Sequence, residues 1–375
     1  PPPPPPPGSG DLGRPLAGLT PELLARFEQG RQAFQQPRRP PDGLGPVFNE
    51  DSCAKCHGDG AVGGAGLRTV TRFGRVIQGR FDPMTEFGGM VLQNRGIGVF
   101  NGVNFVGEVV PAQATIVARR RTTPTFGLGL VEAIPDASLQ ALAAQQASTK
   151  PAIAGRVSLL LDMVSGTPRV GRFGWKAQHA TLFTFTGDAL LNEMGITTPL
   201  FPQENCPQGN CSLLRGNPAR TNPNEPTNAV VERIRDFMAM LAPPSRGPIG
   251  ANERAGREIF MQIGCADCHT PTQRTGNHPV AALNLVNFEP YSDFLLHDMG
   301  ALGDGIVQGP AGPRDIKTPP LWGLRFQRSF LHDGRAANLP NAVLLHDGQG
   351  LAARSRFSQL TATQRGQLLA FLNSL

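Results

Sequence analysis

Apolar residues recur at helical spacing in several short stretches of this chain, separated by long segments with no sustained period. Thr20 and Pro21 make an N-cap followed by a proline at the first helical position. Phe27 and Phe34, on one face of the helix they begin, mark its buried side. Asn228 to Leu241 is predicted to be helical, with Val231, Ile234, Met238 and Leu241 on one stripe and Pro243-Pro244 ending it. The last helix starts at Thr361, which forms a capping-box pattern with Gln364, and carries Leu368, Leu369, Phe371 and Leu372. Nowhere do 18 apolar residues run consecutively, so no membrane-spanning helix is expected.

Composition explains the irregular segments. The 375 residues include 45 Gly and 36 Pro, too many helix breakers for a coiled coil or a long helical bundle. The 21 Phe residues argue against whole-chain disorder. A chain so rich in loops and yet so apolar should be organised around something large that it wraps. The net charge is +6, and only four of the 35 basic residues are Lys. Arg119-Arg120-Arg121 is the one basic run and has no interleaved aromatics, so no nucleic-acid partner is expected.

The cysteines say what is wrapped. Cys53-Ala54-Lys55-Cys56-His57 and Cys265-Ala266-Asp267-Cys268-His269 are both C-x-x-C-H, the attachment signature of c-type haem. Two thiols add to the vinyl groups of one porphyrin, and the adjacent histidine is held under the iron. Two covalently bound haems are therefore expected, with Cys53, Cys56 and His57 on one and Cys265, Cys268 and His269 on the other. A zinc site would need all four thiols together, and the pairs are far apart in the chain. The third pair, Cys206 and Cys211, lacks a following histidine. It reads as a short loop disulfide, with a free-thiol redox pair as the alternative. Covalent haem attachment normally takes place outside the cytoplasm, where disulfides persist, so an exported, periplasmic protein is expected.

The chain repeats itself around these motifs. Gly30-Arg31-Gln32-Ala33-Phe34 precedes the first and Gly256-Arg257-Glu258-Ile259-Phe260 the second, with Pro37 to Pro46 an inserted loop. Downstream, Thr123-Pro124-Thr125-Phe126-Gly127-Leu128 is matched by Thr318-Pro319-Pro320-Leu321-Trp322-Gly323-Leu324. Asp136 with Leu139 then corresponds to Asp333 with Leu339. Each half reads helix, haem motif, long loop, T-P-x-G-L element, helix. The predicted fold is mainly α with long irregular loops, in two tandem cytochrome c-like haem domains. These are placed at 16–225, carrying haem 1, and 226–375, carrying haem 2, with the seam in Arg215 to Thr227. Residues 1–15, opening on Pro1 to Pro7, read as a disordered polyproline II spacer after a processed start.

Function then depends on the sixth ligand of each iron. The element Phe330-Leu331-His332-Asp333-Gly334-Arg335 is followed by His346, and the helix-like spacer Asn338 to Leu345 would swing that histidine toward haem 2. At the equivalent place in the first half stands Gln146, a poor iron ligand, and no histidine lies between His57 and His179. Haem 1 is thus expected to be five-coordinate or water-bound, with His179 as a possible cap. For haem 2, His297 and Met299 compete with His346.

The order of these elements resembles the bacterial dihaem cytochrome c peroxidase superfamily, which also holds the methylamine dehydrogenase maturation enzyme and the dihaem rubber oxygenases. The closest likeness is to its di-haem oxidoreductase branch, sometimes labelled thiol oxidoreductase. The matching strings include Gly45-Pro46-Val47-Phe48-Asn49, Gly171-Arg172-Phe173-Gly174-Trp175-Lys176-Ala177, Met194-Gly195-Ile196-Thr197 and Leu295-Leu296-His297-Asp298-Met299-Gly300. They span roughly residues 16 to 375. Where the peroxidases carry a ligand Met, this chain has His346. The resemblance implies an acid and an amide near the open iron face, for which Glu132 and Gln146 or Gln145 are the candidates. Glu132 could equally be a solvated loop carboxylate. It also implies an aromatic bridge between the haems, which Trp175 resembles, although Trp175 and Trp322 could both be core anchors. Arg172, Arg325 and one of Arg119 to Arg121 are candidates to pair with haem propionates. Calcium between the domains is common in such relatives, but no ligand set for it can be read in this chain.

The expected activity is a peroxidase-like oxidoreductase. Its partners would be hydrogen peroxide or dioxygen and a periplasmic electron donor or protein substrate. The alternative is a non-enzymatic dihaem electron carrier with both irons six-coordinate.

Overall fold

The computed structural model describes residues 11–88, 91–217 and 223–375. Among them the helices are α1 (Pro21–Gln35), α2 (Cys53–Cys56), α3 (Leu128–Glu132), α4 (Asp136–Thr149), α5 (Leu182–Met194), α6 (Ala229–Met240), α7 (Ala251–Gln262), α8 (Leu339–Leu344), α9 (Leu351–Ser358) and α10 (Ala362–Ser374). Thr20 caps α1 by accepting the Leu23 N–H, and Thr361 and Gln364 close the expected capping box on α10.

The repeated G-R-x-x-F string has a packing reason. At Gly30 of α1 the main chain of α6 crosses so closely that an added Cβ would lie 2.2 Å from the Arg233 carbonyl oxygen. At Gly256 of α7, α10 crosses in the same way, 2.0 Å from the Gln367 oxygen. The phenylalanine one turn further along fills each crossing: Phe34 meets Phe237 at 5.0 Å, and Phe260 meets Phe371 at 5.3 Å between ring centres. The same helix pair therefore occurs twice, α1 with α6 and α7 with α10.

This pairing moves α6. It follows the expected seam, yet its Val231, Ile234, Phe237 and Met238 sit in one apolar core with Phe27 and Phe34 of α1. The second core is built from Ile259, Phe260, Leu368, Phe371 and Leu372 of α7 and α10. A division at 225/226 would cut α6 from the helix it packs on, and the first core also takes in Leu241, Phe288, Trp322 and Phe326 from beyond the seam. The N-terminal boundary shifts as well. Leu12 is buried in the first core and Pro15 bridges to Leu241, so residues 11–15 pack rather than extend as a tail. The polyproline start lies outside the described residues, as does part of the seam.

The loops carry more strand than a mainly α expectation allows. Thr69–Ile77 pairs antiparallel with Arg80–Asp82 and Ile116–Arg121, and shorter two-stranded ribbons tie down the rest. Cys206 and Cys211 are disulfide-bonded, which removes the free-thiol alternative. Among the described residues no helix is long and apolar enough to cross a membrane.

The crossings predict an asymmetric response to methyl groups. Gly256→Ala or Gly30→Ala is expected to lower stability by about 1–3 kcal/mol through overpacking. Gly366→Ala, where nothing lies within 4 Å of the added Cβ, should instead stabilise α10, by up to about 1 kcal/mol. Thermal melts compare the three, and equal melting temperatures for Gly256→Ala and Gly366→Ala would refute the close crossing.

Candidate functional site

Each C-x-x-C-H motif folds into one tight turn. The His57 amide donates to the Cys53 carbonyl at 2.8 Å and the His269 amide to the Cys265 carbonyl at 2.9 Å, so both cysteines and the histidine face one side. Burial pushes the Cys53, Cys56 and Cys265 thiols up to about 12. They are neutral thiols, unlike the low-pKa thiolates of dithiol redox centres. Neither pair is closed as a disulfide.

The histidine rings are oriented by the main chain. His57 Nδ1 donates to the Thr123 carbonyl at 2.8 Å, and His269 Nδ1 donates to the Tyr291 carbonyl at 3.0 Å. A carbonyl can only accept, so Nδ1 carries the proton and Nε2 keeps its lone pair. Desolvation lowers both imidazoles to about 4, which keeps them neutral. Phe34 and Phe260 stand beside these rings, with centres at 5.9 and 6.5 Å.

Opposite His269 stands His346. Asn338 caps α8 by accepting the Asn341 N–H, and just past the C-terminus His346 Nδ1 donates to the Ala342 carbonyl at 2.8 Å. The two ring centres are 6.5 Å apart. Two metal–imidazole bonds of about 2 Å, with about 1 Å from each nitrogen to its ring centre, come to about 6 Å. The donor set and its spacing thus fit a metal held between two neutral imidazoles. His57 has no such counterpart among the described residues: its one ring contact is Phe34. His179 is engaged elsewhere, with Nε2 at 3.3 Å from Asp188 and its ring against Phe185.

A cavity of about 570 Å³ runs from Cys265, Cys268, His269 and His346 past Trp175 to Thr123 and Pro124. It therefore reaches from the second motif to the residue that orients His57. Phe173 and Phe185, stacked with centres 6.2 Å apart, are part of its wall. Trp175 is fixed on several sides. Its Nε1 donates to the Arg121 carbonyl at 3.2 Å, its own carbonyl accepts the Lys317 N–H at 2.9 Å, and its ring meets His332 edge-on at 6.2 Å. Trp322, in contrast, packs on Phe288 inside the first core.

Several expected roles do not match the positions found. Glu132 is half-buried and accepts the Leu182 N–H at 2.7 Å, capping α5; desolvation raises its carboxyl. It is not part of the cavity wall. Gln146 lies by the second motif, not the first. Its Nε2 donates to the Asp267 carbonyl at 3.0 Å and to Asp293 at 2.9 Å, and its Oε1 accepts the Gly155 N–H. Gln145 is exposed. Arg172 uses its guanidinium on the Val131, Glu132 and Ile134 carbonyls and on Asp136, terminating α3. Arg325 reaches the Ser245 carbonyl and lies over Phe326.

His297 is likewise not free to ligate iron. Its Nε2 pairs with Asp293 at 2.9 Å, and its Nδ1 lies 3.1 Å from Gln349 and 3.6 Å from the Cys268 sulfur. Burial opposes its charge, but the Asp293 hydrogen bond overrides this and holds His297 well above its usual value. Cys268, Asp293 and His297 are the one cluster close enough to share an ion among the described residues. With a thiol and an imidazole, it is unsuited to calcium, which takes oxygen ligands. The sequence reading assigned no role to Lys317 or His332, both buried in the cavity wall. The H-D-G element and the residue before T-P-P-L were the signals available.

The chain is 28% identical over 142 residues to the methylamine utilization protein MauG of Methylorubrum extorquens, covering 34% of this chain and 35% of that protein. The match thus spans about a third of the relative's length. A crystal structure of a MauG-like protein associated with microbial copper homeostasis aligns over 99% of this chain and 93% of its own, at 14% identity and a TM-score of 0.42. The diheme peroxidase BthA of Burkholderia thailandensis aligns over 77% and 94%, at 15% identity and a TM-score of 0.33. The family described as "Di-haem oxidoreductase, putative peroxidase" matches residues 103–375, most of the chain, and the protein belongs to that di-haem oxidoreductase family.

Proposed function

We propose that this protein is an exported c-type dihaem oxidoreductase that reacts with hydrogen peroxide or dioxygen at its N-terminal haem and relays electrons through its C-terminal one. Cys53 and Cys56 would hold haem 1 by thioether bonds, with His57 as its axial ligand. Cys265 and Cys268 would hold haem 2, with His269 and His346 on its two faces. A haem iron ligated on both faces supplies electron storage, and one open on a face supplies activation of a small oxidant. The observation that carries this reading is the asymmetry of the histidines. His269 faces His346 across 6.5 Å, while among the described residues the one ring contact of His57 is with Phe34.

The chain's own residues set the conditions for that division. The carbonyls of Thr123, Tyr291 and Ala342 hold the three ring protons at Nδ1 and leave each Nε2 as a donor to metal. Trp175, packed against residues of both halves, is the aromatic bridge between the two sites. Glu132 and Gln146 are left out of the proton handling, because both side chains already serve helix and loop contacts. Export is supported by the C-x-x-C-H motifs, because covalent haem attachment normally takes place outside the cytoplasm, and by the Cys206–Cys211 disulfide, which persists in an oxidising compartment. The electron donor, or a protein substrate in its place, would dock on the outside of the fold.

Ferric EPR tests the division directly. One high-spin and one low-spin signal are expected, and His346→Ala should convert the low-spin signal to high-spin while His297→Ala leaves it low-spin. Two low-spin haems that bind no cyanide would instead establish the electron-carrier alternative. Trp175→Leu should leave both haem spectra intact and slow peroxide-driven oxidation of haem 2 at least tenfold in stopped-flow absorbance. An unchanged rate would remove Trp175 from the path.

A further inference from the structure

Two side chains in the cavity wall are buried with their polar atoms poorly answered: Lys317 by one long hydrogen bond, His332 Nε2 by none among the described residues. Lys317 is 7% exposed, and the acceptor its ammonium finds is the Thr318 carbonyl at 3.5 Å. The ring of Phe294 lies 5.6 Å away. The carboxylate that acts on it is Asp293, already engaged by His297 and Gln146. Burial pushes the Lys317 ammonium down to about 8. His332 is 2% exposed and its Nε2 has no hydrogen-bond partner among the described residues. A buried ammonium and a buried ring nitrogen left in this way are costly unless something else answers them.

Both side chains belong to the cavity that carries the second haem motif, and both are tied to Trp175. The Lys317 N–H donates to the Trp175 carbonyl at 2.9 Å, and the His332 ring meets the indole. The His332 carbonyl in turn accepts the Arg121 N–H, whose own carbonyl accepts Trp175 Nε1. The other cations near this place are occupied. Arg121 uses its terminal nitrogens on Ser329 and Gln327, and Arg172 uses its own on α3 carbonyls and Asp136. Lys176 is paired with Asp304 at 3.0 Å. Asp267, at the second motif, is the one carboxylate of the cavity wall among the described residues, and haem carries two carboxylates on one edge of an otherwise apolar ring.

We propose that Lys317 and His332 receive haem propionate groups beside Trp175, and that the ammonium and the ring hydrogen bond raise the reduction potential of the haem they touch. The assignment rests on the two-haem reading above. It replaces the roles expected of Arg172 and Arg325. The direction follows from charge: a cation near the ring favours the ferrous state, which carries one positive charge fewer than the ferric.

Spectroelectrochemical titration of the purified holoprotein tests this, because thioether bonds keep the haems in place when the propionate contacts are lost. Lys317→Met should lower the potential of one haem enough to change its ferric-to-ferrous ratio tenfold at a fixed poise, a shift of 59 mV for one electron. Lys317→Arg, which keeps the charge, should restore most of that shift. His332→Gln is titrated alongside and should shift the same haem in the same direction, which keeps the test open if Lys317→Met does not accumulate. Both haems covalently bound with unmoved potentials in Lys317→Met, or in His332→Gln where only that variant accumulates, would overturn the assignment. A wild-type protein without covalent haem, seen by intact mass, would overturn the cofactor reading itself and this assignment with it.

Discussion

A main-chain carbonyl accepting the Nδ1 proton of a buried imidazole is the contact on which the site depends. It occurs three times, at Thr123 for His57, Tyr291 for His269 and Ala342 for His346. Each bond selects one tautomer, and burial keeps each ring neutral. Without the carbonyl a ring could rotate or bind a proton at Nε2, and no metal-directed lone pair would be held in place. The carbonyls come from loops and a helix end, so the irregular segments are part of the site rather than connections around it.

The helix pairs make those loops possible. At Gly30 and Gly256 two helices approach closer than any side chain would allow, and Phe34 and Phe260 stand one turn later beside the motif histidines. Regular structure is thereby concentrated in two small crossings, and the remaining chain is free to wrap a cavity. The Gly and Pro content reflects this division: close crossings and turns need the one, and extended wrapping segments tolerate the other.

The two copies diverge in the helix after the T-P-x-G-L element. In the second half that helix, α8, runs only from Leu339 to Leu344, and its end delivers His346 to face His269. In the first half α4 continues from Asp136 to Thr149. The extra turns carry Gln146 away from its own motif and against Asp293 and Asp267 of the other half. Gln146 and His346 stand equally far past Leu139 and Leu339, but equal spacing does not give equal direction when one helix stops and the other runs on. The outcome is an interface between the halves as well as an asymmetry between the sites.

The two C-x-x-C-H turns, the helix starts at Thr20 and Thr361, the repeated glycine crossing and the placement of His346 opposite His269 were all legible in the amino-acid order. Each depends on neighbours within a few residues or on a repeat visible along the chain. Tertiary structure decided what depends on distant partners. It placed α6 with α1, because the helix that fits against Gly30 lies two hundred residues further on. It turned Glu132 and Arg172 into caps of helix ends, since buried main-chain groups at α5 and α3 needed partners first. It also left Lys317 beside Trp175 with one long hydrogen bond, and His332 with an Nε2 that no described residue answers. A sequence shows which groups can donate and accept; which of them remain free once the backbone has been satisfied is settled only by the fold.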